Sequence, residues 1–198
     1  MTCQLGDAWA DYQKSWTAAE SVDGVAVPWG AALRGNFQQL KALKAKYPQL
    51  KVMISLGGWS WSKSFSSMAA TPASRTAFAS SCINLFLKGN LPQASDAGGP
   101  GAAAGVFDGI DIDWEYPVAG GQPYNGYNAA DKHNYTLLMA EFRRQLDAQG
   151  VSDNKRYLLT AAIGAGKDKI DNPEPAQNSQ HLDGTKETPY DITGAWKT

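Results

Sequence analysis

The 198-residue chain has a formal net charge of −1, with 43% hydrophobic and 19% charged residues. That balance is globular and not disordered, and the length is enough to bury one sizeable core. Near-neutrality gives no reason to expect nucleic acid or an anionic membrane as a partner, and no apolar run approaches the ~20 residues needed to span a bilayer. The N-terminus, Met1-Thr2-Cys3-Gln4-Leu5-Gly6-Asp7, lacks both the basic end and the apolar stretch of a signal peptide.

In chain order, Trp9, Tyr12, Trp16 and Ala19 recur at spacings of three and four. This predicts an amphipathic helix over residues 7–20, packed on the core in preference to forming an aromatic binding stripe. Residues 22–35 are broken by Gly and Pro. Asn36 predicts the cap of a second helix, with Phe37, Leu40, Leu43 and Tyr47 as its apolar stripe and Lys41, Lys44 and Lys46 as a solvated one, stopped by Pro48. Residues 51–56 read as a strand with Val52, Ile54 and Leu56 on one face and Met53 and Ser55 on the other. Gly57-Gly58 then permits a tight turn and leaves room beside it, and Trp59 and Trp61 follow in the loop.

Thr71-Pro72 has the chemistry of a helix start, and that helix is expected to reach about Lys88, burying Phe78, Cys82, Leu85 and Phe86. The Gly- and Ala-rich residues 89–105 read as a surface loop. Cys3 and Cys82 show no framework spacing, so the sequence neither requires nor excludes a bridge between them.

The stretch Phe107-Asp108-Gly109-Ile110-Asp111-Ile112-Asp113-Trp114-Glu115-Tyr116-Pro117 is the most informative in the chain. Residues 106–112 read as a strand, so Asp111, Asp113 and Glu115 share one face while Ile110, Ile112 and Trp114 take the other. Crowded like charges push at least one carboxyl pKa upward, so one acid can stay protonated beside ionised neighbours, the condition for proton transfer. Glu115 has the longest reach and lies at the strand's C-terminal end, where α/β folds place their chemistry. Two blander readings remain: an acidic strand end that is solvated or binds a stray cation, and a calcium loop. The second conflicts with Tyr116-Pro117, because an EF-hand turn requires Gly.

Beyond a loop over 118–128, Asp131 opens a long amphipathic helix carrying Tyr135, Leu138, Met139, Phe142 and Leu146, expected to end at Gly150. Residues 157–163 read as a strand and 171–181 as a short helix. A strand over 184–190 is doubtful, since residues 184–189 have no apolar side chain and include a proline. Strands alternating with helices give an α/β fold with parallel strands.

The run Asp108-x-x-Asp111-x-Asp113-x-Glu115, followed by Tyr116-Pro117, resembles the signature of family 18 glycoside hydrolases, the chitinases. Upstream, Lys51-Val52-Met53-Ile54-Ser55-Leu56-Gly57-Gly58-Trp59 resembles that family's Ser-x-Gly-Gly strand, and Tyr190-Asp191 before Gly194-Ala195-Trp196 resembles its Tyr-Asp pair. The resemblance implies a (β/α)8 TIM barrel, of which residues 1–198 would be an incomplete catalytic domain lacking the first two and last two strands. It implies a substrate-assisted retaining mechanism. Glu115 would protonate the glycosidic oxygen and the substrate's own N-acetyl carbonyl would attack the anomeric carbon. Asp113 would orient the acetamido group, and Asp111 would hold Asp113.

Trp59, Tyr116, Tyr190 and Asp191 would contact substrate, with Trp61 packing in the core. Asp108, Ser55, Gly57 and Gly58 would give structural support, with Ser55 within hydrogen-bond reach or one water of Asp111. The implied substrate is chitin or another β-1,4-linked N-acetylglucosamine oligosaccharide, with no cofactor, no metal, no nucleic acid and no membrane, in a secreted enzyme. By itself this chain is expected to be weakly stable and nearly inactive. An endo-β-N-acetylglucosaminidase acting on N-glycans would use the same acids. A non-catalytic chitin-binding protein commonly lacks the acid that Glu115 supplies.

Overall fold

Alternation of branched and polar residues sets the strands, and backbone pairing sets their order. The computed structural model describes residues 2–188. Among them are the strands β1 (Met53–Gly57), β2 (Leu91–Ala94), β3 (Ala97–Gly99), β4 (Gly109–Asp113), β5 (Leu158–Gly164) and β6 (Gly184–Thr188). The α-helices are α1 (Gly35–Lys46), α2 (Phe65–Ala69), α3 (Pro72–Cys82), α4 (Asp131–Asp153), α5 (Lys167–Asp171) and α6 (Pro175–Asn178). The main sheet runs in the order β1-β4-β5-β6. Asp111 pairs with Thr160 and Thr160 with Gly184 in parallel ladders. Beside β4, the Val52 carbonyl accepts from Asp108 N and Gly58 N donates to the Asp113 carbonyl, a progression that gives β1 the same sense.

The chain divides into two units. One comprises Ile54–Ala79 and the described residues from Gly109 onward. Its core is aromatic: Trp114 stacks on Phe65 at 5.3 Å, and Phe78 meets Phe65 and Phe142 edge-on at 5.9 and 5.5 Å. Ile110, Ile112, Leu138, Met139, Phe142, Leu146 and Leu159 are buried around them. At the start of α4, the fully buried Asp131 accepts from Asn128 N (2.8 Å) and the Ser66 hydroxyl (2.9 Å). The helix passes through Gly150 and ends at Asp153, with Asn154 left-handed at φ +49°. Gly150 was expected to end it. Instead it is a close-packing position, where a Cβ would run into the Lys155 carbonyl.

Two further differences from the sequence reading fall in this unit. The helix expected over 171–181 is replaced by the separate short helices α5 and α6, interrupted by Pro173, whose ring cannot continue a helical ladder. Residues 184–188 form a true strand, although their burial is almost nil until Thr188. Their partner is the β5 backbone, so no apolar side chain is required.

The other unit comprises Thr2–Met53 and Ser80–Asp108. Here Phe107 packs edge-on against Phe37 (5.0 Å) and Phe86 (5.8 Å), and Cys3 is disulfide-bonded to Cys82 across a sequence separation of 79. Such a closure restricts the unfolded chain. The helix expected over 7–20 is only a π-turn at Trp9–Gln13. Asp7 accepts from Trp9 N and Ala10 N at its start, and Trp16 leaves it to bridge Val27 antiparallel. Helix α1 begins at Gly35 without a side-chain cap from Asn36. Its lysines are not merely solvated, because Lys44 donates to the Gly105 and Val106 carbonyls and pairs with Asp108. Helix α3 ends at Cys82 and a π-turn over Ile83–Leu87 follows. Residues 89–105 are not a surface excursion. They contain the antiparallel β2–β3 pair, with Leu91, Ala97 and Ala103 buried.

Candidate active site

The strand alternation predicts one acidic and one apolar side for β4. Ile110 and Ile112 are fully buried and Trp114 nearly so. On the acidic side Asp111 is 3% exposed and Glu115 7%, while Asp113 between them in sequence is only part-buried. Glu115 lies just past the strand end, and its backbone is fixed from two directions. Its N–H donates to Ser62 Oγ (2.9 Å) and its carbonyl accepts from Asn125 Nδ2 (2.9 Å). Ser62 is fully buried, and its hydroxyl donates to the Gly58 carbonyl at 2.9 Å, with the Asp113 carbonyl at 3.2 Å. The loop after β1 and the end of β4 are thus tied through one serine.

The glycine pair explains how these backbones come so close. Gly57 and Gly58 have φ of +108° and +90°, values that L side chains rarely adopt. A Cβ on Gly57 would collide with the Asp113 carbonyl and the Phe65 ring, and one on Gly58 would sit 3.4 Å from Asp113 Oδ2. Gly58 therefore keeps the space beside the Asp113 carboxylate open, and its N–H donates to the Asp113 carbonyl at 2.7 Å.

Asp111 is met from the next two strands. One carboxylate oxygen accepts from the Thr160 hydroxyl on β5, and Oδ2 lies 3.0 Å from Lys186 Nζ on β6. Tyr135 reaches toward this group from α4 and packs on Trp114 at 5.9 Å. Burial first, then the Asp111 and Asp113 charges, push its phenol well above the ordinary tyrosine range. It stays a neutral phenol beside the acids. Asp108 precedes the strand, pairs with Lys44 at 2.7 Å and accepts from Val52 N at 2.9 Å. Among the described residues, no group of three or more His, Cys, Asp or Glu side chains is arranged to hold a metal ion.

The remaining expected residues distribute unevenly. Trp59 is 49% exposed in the loop beyond Gly58. Trp61 was expected in the core but is 72% exposed, because the turn from Gly58 to Ser62 buries the serine and projects the indole outward. Tyr116 was expected to face substrate. It is instead 5% exposed, with Lys169 Nζ 4.7 Å above its ring and Pro117, Ile163 and Pro173 nearby around a small cavity. Ser55 is exposed on β1, and the hydroxyl that meets Asp111 belongs to Thr160. Tyr190 and Asp191 lie outside the described residues. Sequence reasoning did not find Ser62, Asn125, Thr160, Tyr135 or Lys186. For Thr160 a signal existed, since it faces Asp111 one strand over once β4 and β5 are paired.

Parallel strands with carboxylates at the C-terminal end of an inner strand are the α/β arrangement in which chemistry sits at the strand ends, as in a (β/α)8 barrel of the TIM type. Comparison with known proteins identifies its lineage. The profile described as Glycosyl hydrolases family 18 matches residues 1–198, and the chain belongs to that family. It is 40% identical over 196 residues to "Chitinase A1" of Niallia circulans, covering 99% of this chain and 25% of that protein. It is 41% identical over 197 residues to "Chitinase C" of Streptomyces lividans, covering 98% and 28% respectively. Among solved structures, the catalytic domain of psychrophilic chitinase B from Arthrobacter TAD20 superposes with a TM-score of 0.93 at 52% identity, covering 96% of this chain and 45% of that one. The chain thus spans about a quarter of the length of these two relatives.

Proposed function

We propose that residues 1–198 are part of a chitinase catalytic domain that hydrolyses β-1,4-linked N-acetylglucosamine polymers with retention, Glu115 serving as general acid and then base. The observation that carries this reading is the end of β4: Asp111 and Asp113 lie on the strand and Glu115 just beyond it, its backbone held by Ser62 and Asn125. Its family and the chitinases it is similar to support the same assignment.

In this mechanism Glu115 gives its proton to the glycosidic oxygen as the C1–O bond breaks. The substrate's acetamido oxygen bonds to C1, giving an oxazolinium ion and a free leaving-group hydroxyl. Asp113 faces the acetamido N–H and stabilises the positive charge that develops there. Water then attacks C1 while Glu115 takes its proton, and the acetamido group is released. Asp111 holds Asp113 in place. Asp108, Ser55, Gly57 and Gly58 support the strand ends, Trp59 offers a face for a sugar ring, and Tyr190 and Asp191 assist at the acetamido group. The Cys3–Cys82 bridge fits an oxidising, extracellular setting.

The experiment is to follow the first product anomer by proton NMR during cleavage of N-acetylglucosamine oligomers by the protein carrying these residues. Early excess of the β-anomer is expected. An early excess of the α-anomer would mean direct inversion by water and would overturn the acetamido-assisted assignment.

A further inference from the structure

Buried carboxylates are costly unless a charge or hydrogen bond compensates them. Asp111 receives both from strands that follow it in the sheet, the Thr160 hydroxyl from β5 and the Lys186 ammonium from β6. The two partners of the ion pair differ in environment: the Asp111 side chain is 5% exposed and that of Lys186 58%. A flexible lysine held at 3.0 Å from a buried carboxylate oxygen, while most of its length remains in water, behaves as a tethered counter-ion. Among the described residues, the charged and titratable groups near this point include Asp111 and Asp113 on β4, Glu115 just beyond it, Tyr135 from α4 and Lys186 itself. Lys186 is paired directly with Asp111 of that row.

We infer that Lys186 is a positioning residue of this site: its ammonium is the tethered counter-ion of Asp111 and offsets part of the negative charge of the acid row that leads to Glu115. The inference rests on the chitinase reading for its catalytic consequence, but the electrostatic pairing stands apart from it. Three adjacent carboxylates repel one another, and a neighbouring cation offsets one of those charges. With the Lys186 ammonium 3.0 Å from Asp111 Oδ2, the row carries less uncompensated negative charge around Glu115. Without the lysine, removing each further proton from the row costs more, so every member keeps its proton to higher pH. Both limbs of a pH–rate profile should then move in the same direction, toward alkaline pH. A purely structural contribution from the Lys186 stem would lower activity at all pH values without moving the limbs.

The test uses Lys186→Met, which keeps the stem and removes the charge, with Lys186→Arg as the charge-preserving control. Two readouts are taken. Carboxyl carbon-13 NMR titrations of the aspartate side chains report the electrostatics without turnover. The pH dependence of kcat/KM on an N-acetylglucosamine oligomer reports its catalytic effect. In the methionine variant, the titration midpoints of the acid row and both limbs of the profile should rise by on the order of half a pH unit at low salt. The shift should shrink as salt is added, and the arginine variant should retain the wild-type behaviour. Superimposable carboxyl titrations in the wild type and Lys186→Met would overturn the counter-ion assignment, as would an arginine variant that behaves like methionine. If the titrations shift while the full protein carrying these residues shows no turnover, the pairing holds and the chitinase reading fails.

Discussion

Two strands of the same sheet, β4 and β6, are built on opposite terms. β4 is buried along four of its five residues and backed by Trp114, Phe65 and Phe142, so its apolar side could be read directly from residue alternation. β6 is exposed along four of its five residues and reads Gly-Thr-Lys-Glu-Thr, without an apolar side chain. What holds β6 is its ladder to β5 and a polar anchor at its entry. There Asp183 accepts from Leu159 N at 2.9 Å, pairs with Arg143 at 3.1 Å and meets Arg156 at 2.5 Å. A strand can therefore be specified by register and one anchored carboxylate, leaving its side chains available for another task. On β6 that task is carried by Lys186.

The comparison breaks most sharply at Trp114. Replacing it by Ala removes the stacked partner of Phe65 from a core that cannot collapse freely, and should cost ~3–5 kcal/mol in urea-unfolding free energy. A loss below ~1 kcal/mol would mean that the aromatic cluster is not what fixes the acid strand. On β6, Asp183→Ala leaves the Leu159 N–H and the largely buried Arg143 without this acceptor, for an expected loss of ~1–3 kcal/mol. Hydrogen exchange should also speed up selectively at the β6 amides. Equal acceleration in β4 and β6 would argue against a local anchor. By contrast, Glu187→Ala on the exposed side of β6 should change stability by no more than ~0.5 kcal/mol.

Acid sharpens the same contrast through two carboxylates. Burial raises the pKa of Asp183, but the Arg156 hydrogen bond and the Leu159 N–H outweigh it and hold the group below its ordinary value. Glu141, on α4, is held down to about 2 from 4.5, chiefly by its hydrogen bond to Arg144. A depressed folded-state pKa contributes stability above the unfolded value and loses it as pH falls through the folded value. Stability should therefore decline as pH drops from about 4.5 toward 2, and Glu141→Gln should remove part of that slope. Since Arg144 is mostly exposed, the effect should be modest and should fade in high salt. A Glu141→Gln variant with an unchanged acid slope would assign the loss to Asp183 and other carboxylates.

The legible part of this molecule is the part written in periodicity and motif. The alternation over 109–115, the glycine pair at 57–58 and the apolar stripe of α4 each state their structure locally. The site's support is written across strands. Ser62 reaches Glu115 over 53 positions and Thr160 reaches Asp111 over 49, so neither is visible before the register is known. The failed helix over 7–20 shows the converse: an apolar spacing of three and four was present, but Trp16 found a backbone partner in Val27 and the pattern never propagated. Residues 89–105 misled by composition, because small residues that suggest a loop also allow the close packing seen around Ala97 and Ala103.

The most direct test of the central claim is Glu115→Gln in the protein carrying these residues. Turnover of a fluorogenic chitobioside is measured beside calorimetric affinity for N-acetylglucosamine oligomers. The substitution keeps the shape and the backbone bonds to Ser62 and Asn125 but removes the proton donor. Turnover should fall by at least ~10²–10⁴-fold with sugar affinity retained. Turnover equal to that of the wild type would place the catalytic acid elsewhere and contradict the account of β4 given above.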